Sequence, residues 1–224
     1  MGQKTSEVPD LDELTPSEPF LFEKAVTIQN RFSHLVRKRS GLPRRILHVA
    51  GVDVAYSDDS SFAASVLVNY KDLKPIESQY AESHVKVPYR PGFLGFREAP
   101  IMTETVRRLS RKPDVVLVDG HGLVHPRRFG LACHVGVLLN IPTIGVAKNA
   151  FFGKVRGDRI LDKDRREIGA TIKVGKKILY VSIGHKVSLN AAIRIAKHCL
   201  AAKEVGPLRL SHEKATTMAR KMRT

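Results

Sequence analysis

Long hydrophobic runs are missing from this chain. No apolar stretch approaches the ~20 residues that a spanning helix needs, so nothing in the sequence reads as a transmembrane segment. Cysteine is scarce as well: Cys133 and Cys199 are the only two, with no CxxC spacing. That usage fits a reducing interior in which both thiols are ordinary core residues. Residues 1–20 do not resemble a signal peptide, so the cytoplasm is the expected location, with a nucleus as the alternative. Internal repeats, low-complexity blocks and interdomain linkers are absent too. One globular domain over residues 15–224, monomeric, behind a flexible acidic leader at 1–14, is the expected organisation.

Acidic residues are also in short supply. Against 22 Asp and Glu the chain carries 38 Lys and Arg, a formal charge of +16 over 224 residues. The first 20 residues hold one lysine and five acids, so the remainder carries 37 basic and 17 acidic residues, or +20. Charge of this size favours a polyanionic partner, through phosphate neutralisation and counterion release. The plainer alternative is a basic surface that only maintains solubility.

Several segments are legible as elements. Thr15-Pro16-Ser17-Glu18 forms a capping box with proline at the first helical position. It predicts a helix from about Pro16 to Arg39, ended by Gly41-Leu42-Pro43. Ile46–Tyr56, Phe62–Tyr70 and Ile76–Val87 read as three strands of an antiparallel meander. Helices are predicted over Ala99–Leu109, Pro126–Leu139 and Ser188–Ala202, and a basic, helical tail closes the chain. Val115–Val118 and Thr143–Val146 are short, wholly apolar strands of the kind buried on both faces. Ile168–Val174 and Ile178–Ile183 form a hairpin around Gly175-Lys176. The pattern predicts an α/β fold, a mixed sheet with helices on its faces.

The chemistry concentrates in VVLVDGHGLVHPRRFG, residues 115–130. A buried strand runs into Asp119, and Gly120, Gly122, His125, Arg127 and Arg128 follow. Gly120-His121-Gly122-Leu123-Val124-His125 nearly matches a dinucleotide fingerprint. His125, however, replaces the glycine that lets the helix pack closely, and Asp119 would repel a pyrophosphate. Asp53, midway along the apolar GVDVAY strand, is a second carboxylate that is costly to bury alone. Two adjacent strands carrying carboxylates make an oxygen-rich site for a hard cation such as Mg²⁺, and Glu98 offers a third.

Three prolines and two glycines in PYRPGFLGFREAP, residues 88–100, argue against regular structure over most of that segment. Its aromatics suit wedging or stacking between bases. Tyr89 is the better wedge, and Phe93 or Phe96 the better core anchor. Lys148, just past a strand end, suits a reacting phosphate. Ser182-Ile183-Gly184-His185-Lys186 reads as a glycine-bearing turn before a helix, where backbone amides hold phosphate.

VAGVDVAY, PYRPGFLGFREAP, VDGHGLVHPRRFGLACHVG, IGVAKN and SIGHKVSL, in this order, closely resemble the endonuclease V family of deoxyinosine-directed nucleases, from about residue 20 to residue 215. The resemblance implies an RNase H-like fold, with Asp53, Glu98 and Asp119 as ligands of Mg²⁺ or Mn²⁺. It implies a strand-separating wedge of Pro88, Tyr89, Arg90 and Pro91, with Arg90 standing where the family commonly has isoleucine. Gly92, Leu94, Gly120, Gly122, His125 and Gly145 would shape the lesion pocket or support phosphate. His125 and Lys148 match positions linked to catalysis or phosphate contact. Pro207-Leu208-Arg209-Leu210-Ser211-His212 looks like the family's Pro-x-Arg-x-Ala-His/Asp element, which makes His212 a further catalytic residue at the metal site.

The implied reaction is metal-assisted hydrolysis of the second phosphodiester 3′ to deoxyinosine in DNA, leaving 3′-OH and 5′-phosphate ends. Inosine-containing RNA is the alternative substrate, and a non-catalytic nucleic-acid-binding module the alternative class.

Overall fold

The computed structural model describes residues 20–39, 41–201 and 206–222. After α1 (Phe22–Ser33) come three strands: β1 (His48–Ser57), β2 (Ser60–Asn69) and β3 (Pro75–His84). They pair antiparallel in sequence order, as the meander pattern predicts. Then α2 (Leu94–Arg107), β4 (Val115–Asp119), α3 (Leu131–Leu139) and β5 (Thr143–Ala147) follow, with β4 parallel to both β1 and β5. A small hairpin of β6 (Lys154–Arg156) and β7 (Arg159–Leu161) leads to β8 (Glu167–Val174) and β9 (Lys177–His185). The helices α4 (Leu189–Ala201) and α5 (Pro207–Lys221) complete the described residues. One mixed sheet holds all nine strands, in the order β3-β2-β1-β4-β5-β9-β8-β7-β6.

Strand parity decides what meets where, because successive side chains point to opposite faces. In β4, Val115 and Leu117 enter one core, with Val49, Val66 and Leu208. Val116 and Val118 enter the other, with Ala50, Val52, Met102 and Val135. The first core packs beneath α4 and α5, and the second beneath α2 and α3. Burial on both faces is what the uninterrupted apolar run of β4 predicts.

Gly51 has the same parity as Val49. A Cβ there would lie 2.2 Å from the Pro207 carbonyl carbon, so the start of α5 rests directly on the β1 backbone. Two residues further along the same face stands Asp53.

Several sequence expectations need correction. The long first helix spans only Phe22–Ser33, and the predicted capping box lies outside the described residues. The second helix starts at Leu94 rather than Ala99 and carries Pro100 in its interior. Half of the segment read as irregular is therefore helical. An interior proline costs ~3 kcal/mol, and burial of Phe96, Ala99, Ile101 and Met102 opposes that cost. Pro126–Phe129 is not helical: Arg128 takes a left-handed φ of 52° and Gly130 is extended, so α3 begins only at Leu131. Ser182–His185 is strand β9 rather than a phosphate-holding turn. The sequence reading missed β6 and β7, each three residues long and too short to show a period.

Cys133 and Cys199 are free and buried, as expected. Among the described residues no helix is long and apolar enough to cross a membrane. The contact at Gly51 is a sensitive point. Gly51→Ala is expected to cost about 2–3 kcal/mol in chemical denaturation and, by lifting α5, to separate His212 from β1 and lower activity.

Candidate active site

Three elements converge at one end of the sheet. The β1–β4 pairing runs in register to Val52 opposite Val118, which sets Asp53 beside Asp119 on neighbouring parallel strands. Both have the parity that faces α5, and α5 supplies His212, whose Nδ1 lies 2.6 Å from Asp53 Oδ2. Asp53, Asp119 and His212 each place one potential ligand atom within 4.8 Å of the others. Two carboxylates and an imidazole are a donor set that suits a hard or borderline divalent cation.

Glu98 approaches from the other face. It belongs to α2, is only 7% exposed, and accepts a 2.7 Å hydrogen bond from the Tyr56 hydroxyl, itself approached by Arg97. It does not belong to the close three-residue set. It does share the same field, since Asp53 and Asp119 both disfavour its ionisation.

The electrostatics show the strain of this arrangement. Burial, then the neighbouring Asp119, pushes the Asp53 carboxyl up to about 6. Burial raises Glu98 to about 8. Lys148 Nζ sits 3.0 Å from Asp119 Oδ2. Burial works against its ammonium, but Asp119 outweighs that and holds its pKa above the ordinary lysine value. Lys148 at Asp119 and the Arg97 guanidinium near Glu98 do not offset three carboxylates, which leaves room for a cation.

Beside the carboxylates opens a cavity of about 420 Å³, with Gly92, Leu94, Gly120, His125, Asp119 and Lys148 in its wall. Tyr89 and Pro91 stand at the same cavity, and Tyr89 is 69% exposed. Phe93 and Phe96 are buried, so this segment anchors through them and leaves Tyr89 free.

Arg90 does not share the cavity wall: its guanidinium lies 4.3 Å above the Phe22 ring, a cation–π contact with α1. Pro88 is exposed at the start of the same loop. Gly122 and Gly145, expected at the pocket, are packing glycines instead. A Cβ on Gly122 would meet the Ile183 carbonyl at 2.0 Å, and one on Gly145 would meet Gly120 and Gly122 backbone at 2.6 Å. They let the DGHG turn lie against β5 and β9.

His125 is a neutral structural element of the wall. Its Nε2 donates to the Gly92 carbonyl at 3.0 Å, which requires the proton there, and Nδ1 accepts from Arg127 N–H at 3.2 Å. Burial lowers its pKa to about 4. Arg127 also bonds Gly92 O and Gln29, and Arg128 pairs with Asp162 and Asp164. Both arginines thus anchor the fold.

Among the wall residues that escaped the sequence reading are the polar or aromatic Gln29, His121, Asn149 and Phe151. His121 stacks on Phe151 with centroids 5.8 Å apart, and its Nε2 donates to the Asn149 carbonyl at 3.0 Å. That leaves its buried Nδ1 as an acceptor without a hydrogen-bond partner among the described residues. The position of His121, two residues past Asp119, was the only signal available for it. Gln29 lies one helical turn past Ala25 on the buried side of α1, where a polar residue gives no local signal.

A family model described as Endonuclease V matches residues 30–213. This chain belongs to the endonuclease V family. It is 41% identical to endonuclease V of Trichormus variabilis over 194 residues, covering 81% of this chain and 87% of that protein. Endonuclease V of Ignicoccus hospitalis is 37% identical over 203 residues, 89% and 96% of the two chains.

Among solved structures, human endonuclease V superposes with a TM-score of 0.84 at 27% identity, covering 91% of this chain and 100% of that one. Endonuclease V of Streptomyces avermitilis gives 0.81 at 32% identity, with 92% and 96% covered. The fold and enzyme class expected from the sequence motifs are therefore correct: an endonuclease V with a mixed sheet flanked by helices.

The raised carboxyl pKa values have a measurable consequence in this endonuclease V. Both groups favour the protonated form in the folded state, so their contribution to stability is present at low pH and lost as pH rises. Burial also lowers His125, His134 and His185 to about 4, which raises stability with pH over part of the same range, so the carboxyl effect is read as a difference between proteins. Without divalent metal, the melting temperature of the wild type relative to Asp53→Asn is expected to fall as pH increases from about 4 through about 6, and relative to Glu98→Gln through about 8. Calorimetry of the three proteins across pH in a chelator tests this, and a difference that rises over the interval contradicts it.

Proposed function

We propose that this endonuclease V nicks DNA at the second phosphodiester bond 3′ to deoxyinosine, leaving 3′-OH and 5′-phosphate ends. Residues 15–224 act as one catalytic unit in this reading. The observation that carries it is the placement of the Asp53–Asp119–His212 cluster beside a cavity flanked by the exposed Tyr89. A second support comes from a more distant structure of the same fold. Endonuclease V of Ciona intestinalis, 24% identical, was solved with DNA containing an inosine followed by a ribo-adenosine.

Asp53 and Asp119, with Glu98 across the sheet edge, would hold the metal, and His212 would complete or orient that set. Their mutual repulsion in the bare site supports the assignment. When bound, a divalent cation such as Mg²⁺, or Mn²⁺ in its place, supplies Lewis-acid stabilisation of charge on phosphate oxygens and a more acidic water.

The remaining roles belong to side chains. Lys148, tethered to Asp119, lies where it would offset charge on the reacting phosphate. Tyr89, with Pro88 and Pro91, would fill the gap left by the extruded base, an event least costly at a mismatched pair. Gly92, Leu94, Gly120 and His125 would line the pocket that receives hypoxanthine. His121, stacked on Phe151 in the same wall, would flank that base.

Asp53→Ala or Asp119→Ala is expected to lower nicking of a labelled inosine duplex at least a hundredfold at saturating Mg²⁺, with EDTA stopping the wild type. Wild-type rates in either variant would sink the metal assignment. Tyr89→Ala should cost about tenfold on a duplex and far less on a single strand, because only the duplex needs a wedge. Matched inosine DNA and RNA strands, assayed side by side and mapped to the nucleotide, decide the sugar preference. Faster cutting of RNA would replace the DNA reading with the endoribonuclease one.

A further inference from the structure

A second cavity, of about 790 Å³, lies at the opposite end of the sheet from Asp53. Its walls are the segment entering β1, the Asn69–Lys71 turn after β2, and the first turns of α4. Leu47 on its rim is six strand residues before Asp53, a separation of roughly 20 Å. Arg44, Arg45, Lys71 and Arg194 line it, and no carboxylate does.

Some cations elsewhere have carboxylate partners, as Arg108 with Glu104, Arg128 with Asp162 and Arg209 with Glu213, whereas the groove gathers four cations in one concavity without a carboxylate in its wall. Among the described residues, none of the four groove cations has an ion-pair partner. Crowding of like charge continues beside it, where burial, Arg37 and Lys112 all lower the pKa of Lys186, whose carbonyl accepts from Gly41 N–H. Four cations without an ion-pair partner line one concavity, and an anion seated there would pair with them. Tyr70 and His198 add a ring pair in the same groove, centroids 4.6 Å apart.

We propose that this groove is a second nucleic-acid site, which holds the sugar–phosphate backbone of a strand segment remote from the cut. The four cations are exposed along a concave surface, which a narrow polyanionic backbone can follow more closely than a flat membrane can. Ring faces beside a phosphate track are a recurring feature of single-strand binding. The inference goes beyond the inosine reading and does not depend on it, because the groove contains none of the proposed catalytic residues.

The test is fluorescence anisotropy with an inosine-free DNA strand of about 40 nucleotides, in EDTA, over a salt series. Protein carrying Arg44→Gln, Arg45→Gln, Lys71→Gln and Arg194→Gln is expected to bind at least about tenfold more weakly. Its log–log salt slope should fall by about 3. A charge-matched control with Lys163, Lys173, Lys176 and Lys177 changed to Gln should lose less than about threefold. The milder double variant Arg44→Gln, Arg45→Gln, confined to the irregular segment before β1, should show about half the slope change, which guards against misfolding of the quadruple.

Equal losses in the quadruple and its control would reduce the groove to diffuse surface charge and overturn the proposal. Unchanged binding in both would overturn it too, as would a loss seen only with phosphatidylserine vesicles. Asp119→Asn protein should retain the groove dependence whether or not it cuts.

Discussion

Everything at the candidate site follows from two carboxylates placed side by side by a parallel strand pair. The register that sets Val52 opposite Val118 also sets Asp53 next to Asp119, and the backbone ladder leaves neither free to withdraw. Burial, and then their repulsion, is an energetic debt built into two inner strands of the sheet. Helix α5 lies against that point with His212 toward Asp53, and Lys148 reaches Asp119 from the end of β5. Neither contact neutralises the cluster, which is why Asp53 keeps a carboxyl pKa near 6.

The two faces of the sheet contribute differently. On the α5 side, Gly51 lets a helix terminus touch the strand, and this closeness brings an imidazole into ligand range. On the α2 side, Glu98 is held by Tyr56 and enters the same electrostatic field without entering the close cluster. Tyr56 has the parity of Val52 and Val54, so alternation along β1 alone separates the two sets. Opposite that cluster, Gln29, Arg127 and His125 all bond the Gly92 carbonyl and fix the loop that presents Tyr89.

Much of this was legible in the sequence, for identifiable reasons. Strands β1, β2, β4 and β5 announced themselves because burial demands uninterrupted apolar residues, and Asp53 and Asp119 stood out by breaking that demand. Helix α2 was half hidden, since Pro100 reads locally as a first-turn residue while the decisive burial of Phe96 and Met102 is tertiary. Arg127 and Arg128 could be read as either DNA-facing charge or fold anchors, because composition cannot say whether a guanidinium is already engaged. Gly122 and Gly145 looked like pocket glycines because sequence shows a missing side chain but not which backbone fills its place. His121 and Phe151 meet only through the fold, and no spacing rule links them.

The contact of Asp53 with His212 joins residues 159 positions apart. A growing chain therefore presents its sheet, its carboxylates and the Tyr89 loop well before it can present the imidazole. Helix α5 is the last of the site-bearing elements to be made, so the cluster closes onto strands that are already built. Its three members come together only through tertiary packing. Loss of α5 would leave a recognisable sheet whose site lacks its imidazole.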